Sequence, residues 1–292
     1  MFPSETDGAT RPAERLKDSS ATRPHIPAPI RRARRRGTWR RTGIIGGRLV
    51  LLAALLVAWQ LCSNARIVDP YFVSSPAGVA NFLYDYVRSG ALWTHLEVTL
   101  RETLIGFAIG SAGGIMAGLL LARFQVLDDL LDPFFVVVNS LPRVALAPLF
   151  LLWFGLGALS KIILAISLVF FILLVNTRVG MRNVDTDLVT VGKLLGGNEF
   201  QMFRSVLLPA SLPAILAGLR LGIIYALLGA VVGEMIAAEA GIGQQLTYFS
   251  GTFQTAGVIG MLVVLAIIAA VLDALTVLAE RRLLRWQKKG RM

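Results

Sequence analysis

Apolar residues in this chain are gathered into long blocks, without the strict alternation of half-buried strands or the one-sided stripe of soluble surface helices. The runs 43–62 and 103–122, the stretch 127–155, and runs at about 162–179, 214–236 and 256–278 are each long enough to cross a bilayer core. The pattern predicts an all-α membrane protein with about six transmembrane helices. The run 103–122 carries Gly106, Gly110, Gly114 and Gly118, three overlapping GxxxG steps that let another helix backbone approach one face, and packing within the same chain is the simpler use. The stretch 127–155 is interrupted by Pro133, Pro142 and Pro148 and contains Asn139, Ser140 and Arg143. Such a span is kinked or broken, and broken backbone at membrane depth has to line a wet cavity or lie buried in protein, which makes this span the candidate wall of a pathway.

The polar segments organise the rest. Residues 1–41 lack apolar periodicity and hold Pro12, Pro24, Pro27 and Pro29, so they read as a disordered basic cytoplasmic tail. The transmembrane domain is expected over 42–280, and 281–292 form a basic cytoplasmic C-terminus. The segment from Ser63 to about His95 reads as an external loop with short amphipathic pieces. Two short amphipathic helices are expected in the internal loop 182–213: Leu188, Val191, Leu194 and Leu195 recur at helical spacing, Gly196 and Gly197 interrupt, and Phe200, Phe203, Val206 and Leu207 recur before Pro209. Glycine suits that turn because it takes a positive φ after a helix C-terminus without a Cβ clash. An apolar face projecting from a membrane domain is covered by lipid, by its own bundle or by another protein, and periodicity alone leaves all three open.

Composition and charge agree with a membrane location. The 292 residues are 55% hydrophobic and 16% charged, with a mean hydropathy of +0.67 and a formal net charge of +11. Twelve Lys or Arg stand against four acidic residues in 1–48, and Arg281, Arg282, Arg285, Lys288, Lys289 and Arg291 close the chain. The internal connections hold Arg123, Arg178, Arg182, Lys193 and Arg204, whereas 237–255 holds no Lys or Arg, so both termini are placed in the cytoplasm. Trp39 and Trp286 fall at the inner interface and Trp59, Trp93 and Trp153 at the outer one. The arginine-rich tail lacks the base-stacking aromatics and folded basic module of a nucleic-acid binder; membrane lipid is its expected partner.

Several chemistries are excluded. Cys62 is the single cysteine, His25 and His95 lie far apart, and no phosphate-binding G-x-x-x-x-G-K-[ST] occurs, so neither a Cys-based metal site, nor a cofactor, nor ATP hydrolysis is expected on this chain. Charges in apolar runs are functional candidates. Arg101 and Glu102 border the second span, Arg143 lies in the third, Arg220 and Glu234 bracket the fifth, and Asp273 sits in the sixth. Arg143 attracts an anionic solute or makes a structural ion pair; Glu234 pairs with it or faces the external interface.

Residues 190–209 resemble the EAA loop of binding-protein-dependent ABC permeases, whose pattern is EAA, three residues, G, nine residues, I-x-L-P. Gly196 takes the glycine, Val206 the isoleucine and Leu208 with Pro209 the closing pair; beyond that pair, Pro213 and the run AGLRLG at 217–222 also resemble the family. Thr190, Val191 and Gly192 stand where Glu, Ala and Ala are usual. PYFVSSPAGV, LPRVALAPLFLLWFGLGALSK, GEMIAAEAGIG and the basic RRLLRW end extend the likeness to permeases of the nitrate, sulfonate and taurine import group. The resemblance implies the type I importer fold, a homodimer of permeases, a separate cytoplasmic ABC ATPase subunit, an external solute-binding protein, the inner membrane, and a small anion as cargo. It further implies that Leu194, Leu195, Phe200 and Phe203 dock the ATPase, that Gly196 sets the bend and that Pro209 ends the second helix. The alternative, a self-sufficient secondary transporter, calls for inverted repeats and midplane carboxylates that the sequence does not display.

Overall fold

A computed structural model describes residues 31–65 and 70–284. The expectations for the tail up to residue 30 and for Arg285, Trp286, Lys288, Lys289 and Arg291 fall outside the described residues. The chain divides into two compact units, residues 1–55 and 56–292. In the first, the described backbone is the opening part of helix α1 (Arg31–Asn64). This helix overlaps the last part, 31–41, of the tail expected from the sequence: the last tail proline is Pro29, and the arginine-rich stretch after it favours helix.

The second unit is helical throughout its described elements. In order they are α2 (Pro70–Val73), α3 (Pro76–Arg88), α4 (Ala91–Arg123), α5 (Gln125–Ser140), a 3-10 turn (Arg143–Leu146), α6 (Ala147–Phe154), α7 (Ala158–Arg182), α8 (Thr186–Leu194), α9 (Glu199–Met202), a π turn (Phe203–Leu207), α10 (Leu208–Ile236), α11 (Ile242–Gly251) and α12 (Thr255–Leu283). Among the described residues of the whole chain, five helical segments are long and apolar enough to cross a membrane, and the pair α5 and 3-10/α6, bent by 79°, is a sixth if counted as one span. Pro142 stands at the break, as the sequence predicts, while α5 continues helically through Pro133.

Packing of α4, α7 and α10 organises this unit, and small residues set it. A Cβ at Gly106 would stand 2.6 Å from Ala165 Cβ, one at Gly110 2.8 Å from Val169 Cβ, one at Gly114 2.8 Å from Leu173 Cβ and one at Gly118 2.7 Å from Thr177 Cβ. The glycine stripe therefore packs within the chain, as expected. Its partner positions rise in step, so α4 and α7 run parallel, and the chain must recross between them through the bent pair. A second stripe, Gly218, Gly222, Gly229 and Gly233 on α10, meets α7 in the opposite order at Asn176, Leu173, Ala165 and Lys161, so α10 is antiparallel to α7. At the end where α4 begins, α3, α11 and α12 close over the bundle around a cluster of Phe82, Tyr86 and Phe249, with the Phe82 and Phe249 rings edge to face at 5.1 Å. Ser75 starts α3 by accepting a hydrogen bond from the Gly78 amide, with Pro76 in the first turn.

Candidate functional site

The loop after α7 is folded, and its turns follow from named residues. Asp185 caps α8 by accepting from the Asp187 amide at 2.9 Å. At the other end Gly196 takes φ +80°, its N–H bonds the Lys193 carbonyl at 3.0 Å, and the Gly197 N–H bonds the Gly192 carbonyl at 3.1 Å. This pair of bonds is the Schellman closure that a left-handed residue after a helix permits. Asn198 then opens α9 with a reciprocal capping box, Gln201 N–H to Asn198 Oδ1 at 2.8 Å and Asn198 N–H to Gln201 Oε1 at 3.0 Å.

The departures from the EAA triplet have local reasons. Thr190 donates its hydroxyl to the Thr186 carbonyl of its own helix at 2.8 Å. A Cβ at Gly192 would come within 2.5 Å of Met202 Sδ, and Met202 is buried, so glycine here makes room for the methionine that fastens α9 onto α8. Arg123 at the end of α4 pairs with Glu199 at the start of α9, holding the loop to the bundle by a pair open to solvent.

The loop leaves an apolar face uncovered: Leu194 and Leu195 are each 82% exposed and Phe200 70% exposed, with Leu188 and Val191 beside them. Phe203 and Val206 are half-buried. Phe203 and Phe200 line a groove of about 410 Å³ with Leu119, Leu120, Arg123 and Glu199. Pro209 is corrected. It does not end a helix: the backbone runs helically from Glu199 to Ile236. Phe203–Leu207 form a π turn just before the proline, the Leu208 N–H reaches the Phe203 carbonyl, and this wider turn relieves the clash that Pro209 and its missing N–H bring.

On the broken span, Arg143 and Asn139 come together. The Arg143 guanidinium donates to Asn139 Oδ1 and lies 4.2 Å over the Phe171 ring. Among the described residues it has no carboxylate partner. Ser140 donates to the Val136 carbonyl of its own helix. Glu234 does not join them. It is 1% exposed near the end of α10, where its carboxylate accepts from Thr99 Oγ1 at 2.7 Å and from the Gly243 N–H at 2.7 Å. Thr99 in turn accepts from the Ile242 N–H at 2.9 Å, and His95 Nδ1 accepts from the Gly241 N–H at 3.1 Å. The carboxylate thus caps the first turn of α11. A Cβ at Gly241, whose φ is +125°, would fall 2.2 Å from Glu234 Cδ, and one at Gly243 2.3 Å from the Val231 carbonyl. The GEMIAAEAGIG run is therefore a carboxylate and the glycines that let backbone reach it, and Glu234 is corrected from pathway or interface to buried cap.

Two clusters of paired charges escape a reading of the sequence. Asp128, 1% exposed in the first turn of α5, is held by Arg178 at 2.5 Å and by Arg182, with Asp132 also on Arg178 at 2.6 Å. Arg220 on α10 grips Asp273 on α12 through two hydrogen bonds of 2.6 and 3.0 Å. The only sequence signal is that these arginines and aspartates lie in or beside apolar runs.

A bundle of membrane-length helices with one broken span and a folded loop presenting apolar side chains is the architecture of a multi-pass transport subunit. Residues 111–285 match the model of the binding-protein-dependent transport system inner membrane component family, and the chain belongs to that family. It is similar to the putative aliphatic sulfonates transport permease protein SsuC of Bacillus subtilis, 32% identical with 82% of this chain and 87% of the relative covered. It is also similar to the riboflavin transport system permease protein RibX of Chloroflexus aurantiacus, 35% identical over 82% and 89%. The fold matches a chain of the inward-facing MetNI methionine ABC transporter with a TM-score of 0.55 at 19% identity, covering 68% of this chain and 96% of that one. The chain is thus a permease component of an ABC importer in the inner membrane, and ATP hydrolysis is not its own chemistry.

Proposed function

We propose that this chain is the translocating half of an importer that pairs with a second copy of itself and couples to a cytoplasmic ABC ATPase through α8 and α9. The observation that carries the reading is the loop face of Leu194, Leu195 and Phe200, exposed at 82, 82 and 70% on a segment whose own turns are fully capped. A face so apolar on a rigid loop needs a partner. The basic residues around it favour the cytoplasmic side for the loop and with it for both termini. An external binding protein would deliver the solute at the opposite end, where α3 and α11 lie. Exposure of Leu130, Phe134, Val137 and Leu141 along the broken span supports pairing with a second permease there. Arg143, uncompensated by a carboxylate among the described residues, and the likeness to the sulfonate permease favour a small organic anion as cargo.

The test is affinity purification of the full chain from its native membranes, with ABC ATPase subunits identified by mass spectrometry and by ATP hydrolysis. Wild type is expected to retain an ATPase, and Leu194→Asp with Leu195→Asp to release it while remaining monodisperse. Equal retention by both, or by neither, would remove the loop as docking site.

A further inference from the structure

Helix α5, the first part of the broken span, is held to the bundle more by charge than by apolar packing. Asp128 is its one buried residue, Leu131, Asp132 and Phe135 are half-buried, and the other twelve of its sixteen residues are exposed. Those four recur at helical spacing, so they form a single inward face, and half of it is acid. Both carboxylates go to the end of α7. Asp128 is held by Arg178 and Arg182, and Arg178 also takes Asp132. The next contact along is between the Phe135 and Phe171 rings, edge to face at 6.5 Å, and Arg143, past the break, lies over the same Phe171 ring. Every residue from Val136 to Pro142 is exposed. Helix α5 is therefore anchored by ions at its first two turns and bare toward the 79° bend.

We propose that Asp128, Arg178 and Arg182 are the positioning residues that make the broken span follow the loop, an inference that rests on the docking of an ATPase by α8 and α9. Arg182 is the last residue of α7 and Asp185 already caps α8, with Val184 buried between them, so the arginines travel with the loop. Stability alone does not call for ions here, because a buried ion pair adds little over well-packed apolar side chains of similar volume. What the ions add is a fixed register: Asp128 and Asp132 stand one turn apart on α5, and Arg178 and Arg182 one turn apart on α7. Sharing also keeps the cluster paired as α5 tilts. Arg178 bridges two carboxylates and Asp128 meets two guanidinium groups, so one bond can slip while another holds and no buried charge is left alone.

The experiment uses the full chain purified with its ATPase from native membranes into lipid nanodiscs, with Cys62→Ser and a single bimane label on Val136→Cys in α5 or on Asp187→Cys in α8, both positions exposed. Emission is compared between the nucleotide-free and the ATP–vanadate-trapped complex. With the cluster intact, trapping is expected to shift both labels; Val136, about 12 Å along the helix from Asp128, reads the far arm. Arg182→Ala is expected to weaken the Val136 shift and Asp128→Asn, which keeps the shape, to abolish it, while both keep the Asp187 shift and the ATPase. A staple with no part in transmission would leave the Val136 shift as in wild type. That result in Arg182→Ala, where Arg178 still holds Asp128, overturns the proposal even if Asp128→Asn fails to fold. A silent Val136 beside a responsive Asp187 in the intact complex overturns it as well. If Asp187 is silent and no ATPase is retained with the cluster intact, the docking reading itself fails and this inference falls with it.

Discussion

Neighbouring glycines on α4 offer a sharp test of the packing. Gly113 and Gly114 lie on the same helix, one residue apart, and gain the same helix preference on substitution by alanine, about 0.5–1 kcal/mol. Their surroundings differ. A Cβ on Gly113 would sit 3.4 and 3.6 Å from the Phe170 ring, an ordinary contact, so Gly113→Ala is expected to stabilise by about that amount. A Cβ on Gly114 would sit 2.4 Å from the Phe170 carbonyl oxygen and 2.8 Å from Leu173 Cβ, and backbone cannot rotate away. Helices α4 and α7 must part, at an overpacking cost of about 1–3 kcal/mol or more, so Gly114→Ala is expected to be net destabilising. With roughly 2–4 °C of Tm per kcal/mol in chains near this size, the two variants should shift in opposite directions in a tryptophan-fluorescence melt of the purified chain. Shifts of the same sign would refute the parallel α4/α7 contact. A change of oligomeric state in Gly114→Ala without loss of Tm would instead move the stripe to a seam between copies.

Other perturbations separate buried from open charges. Asp128→Ala leaves the Arg178 guanidinium, only 14% exposed, with Asp132 as its one carboxylate and Arg182 with none, and should cost about 1–3 kcal/mol, whereas Arg182→Ala, half-exposed with Arg178 still on Asp128, should cost about 1 or less; chemical denaturation of the detergent-solubilised chain compares them. Glu234→Ala leaves the Thr99 hydroxyl and the Gly243 N–H without their acceptor and should lower stability by about 2–5 kcal/mol, with amide exchange rising first in α11. Gly241→Ala meets both a φ of +125° and the Glu234 carboxyl and should be at least as damaging in the same exchange measurement. Leu194→Asp changes a side chain that is 82% exposed, so the melt should stay within experimental error of wild type even as ATPase retention is lost.

The parts legible in the sequence share one property, that a local pattern dictates them. Span length follows from apolar runs, the bend from Pro142, and the left-handed turn from Gly196, because each is decided by neighbours in the chain. The GxxxG stripe on α4 is readable as a close-approach face, but that α7 fills it in parallel orientation is not, since a stripe carries no record of its partner. The looser α10 stripe at Gly218, Gly222, Gly229 and Gly233 does not stand out as one, for its spacing breaks between Gly222 and Gly229 at Ala226. Long-range polar pairing is least legible. Thr99 and Glu234 are 135 residues apart, and a carboxylate near a span end looks the same in sequence whether it faces water or caps a helix that no apolar run announces.

Pro209 shows how a loop recognisable as a unit can mislead in its details. A proline stops a helix when the preceding turn is α-helical and its carbonyl has nowhere to go. Here the turn Phe203–Leu207 is wound wider, so the helix continues through Pro209 into α10 and the loop becomes a rigid extension of a membrane span. The same winding sets Phe203, half-buried, toward Leu119 and Leu120 of α4, while Phe200 lines the rim of the same groove and stays 70% exposed. A loop built this way has one apolar face turned outward and another seated on the bundle. In the docking proposed for this loop, a push on Phe200 would pass to α10 through continuous helix and to α4 through the Phe203 groove and the Arg123–Glu199 pair, while Leu194 and Leu195 would act through α8 and its contact with Met202.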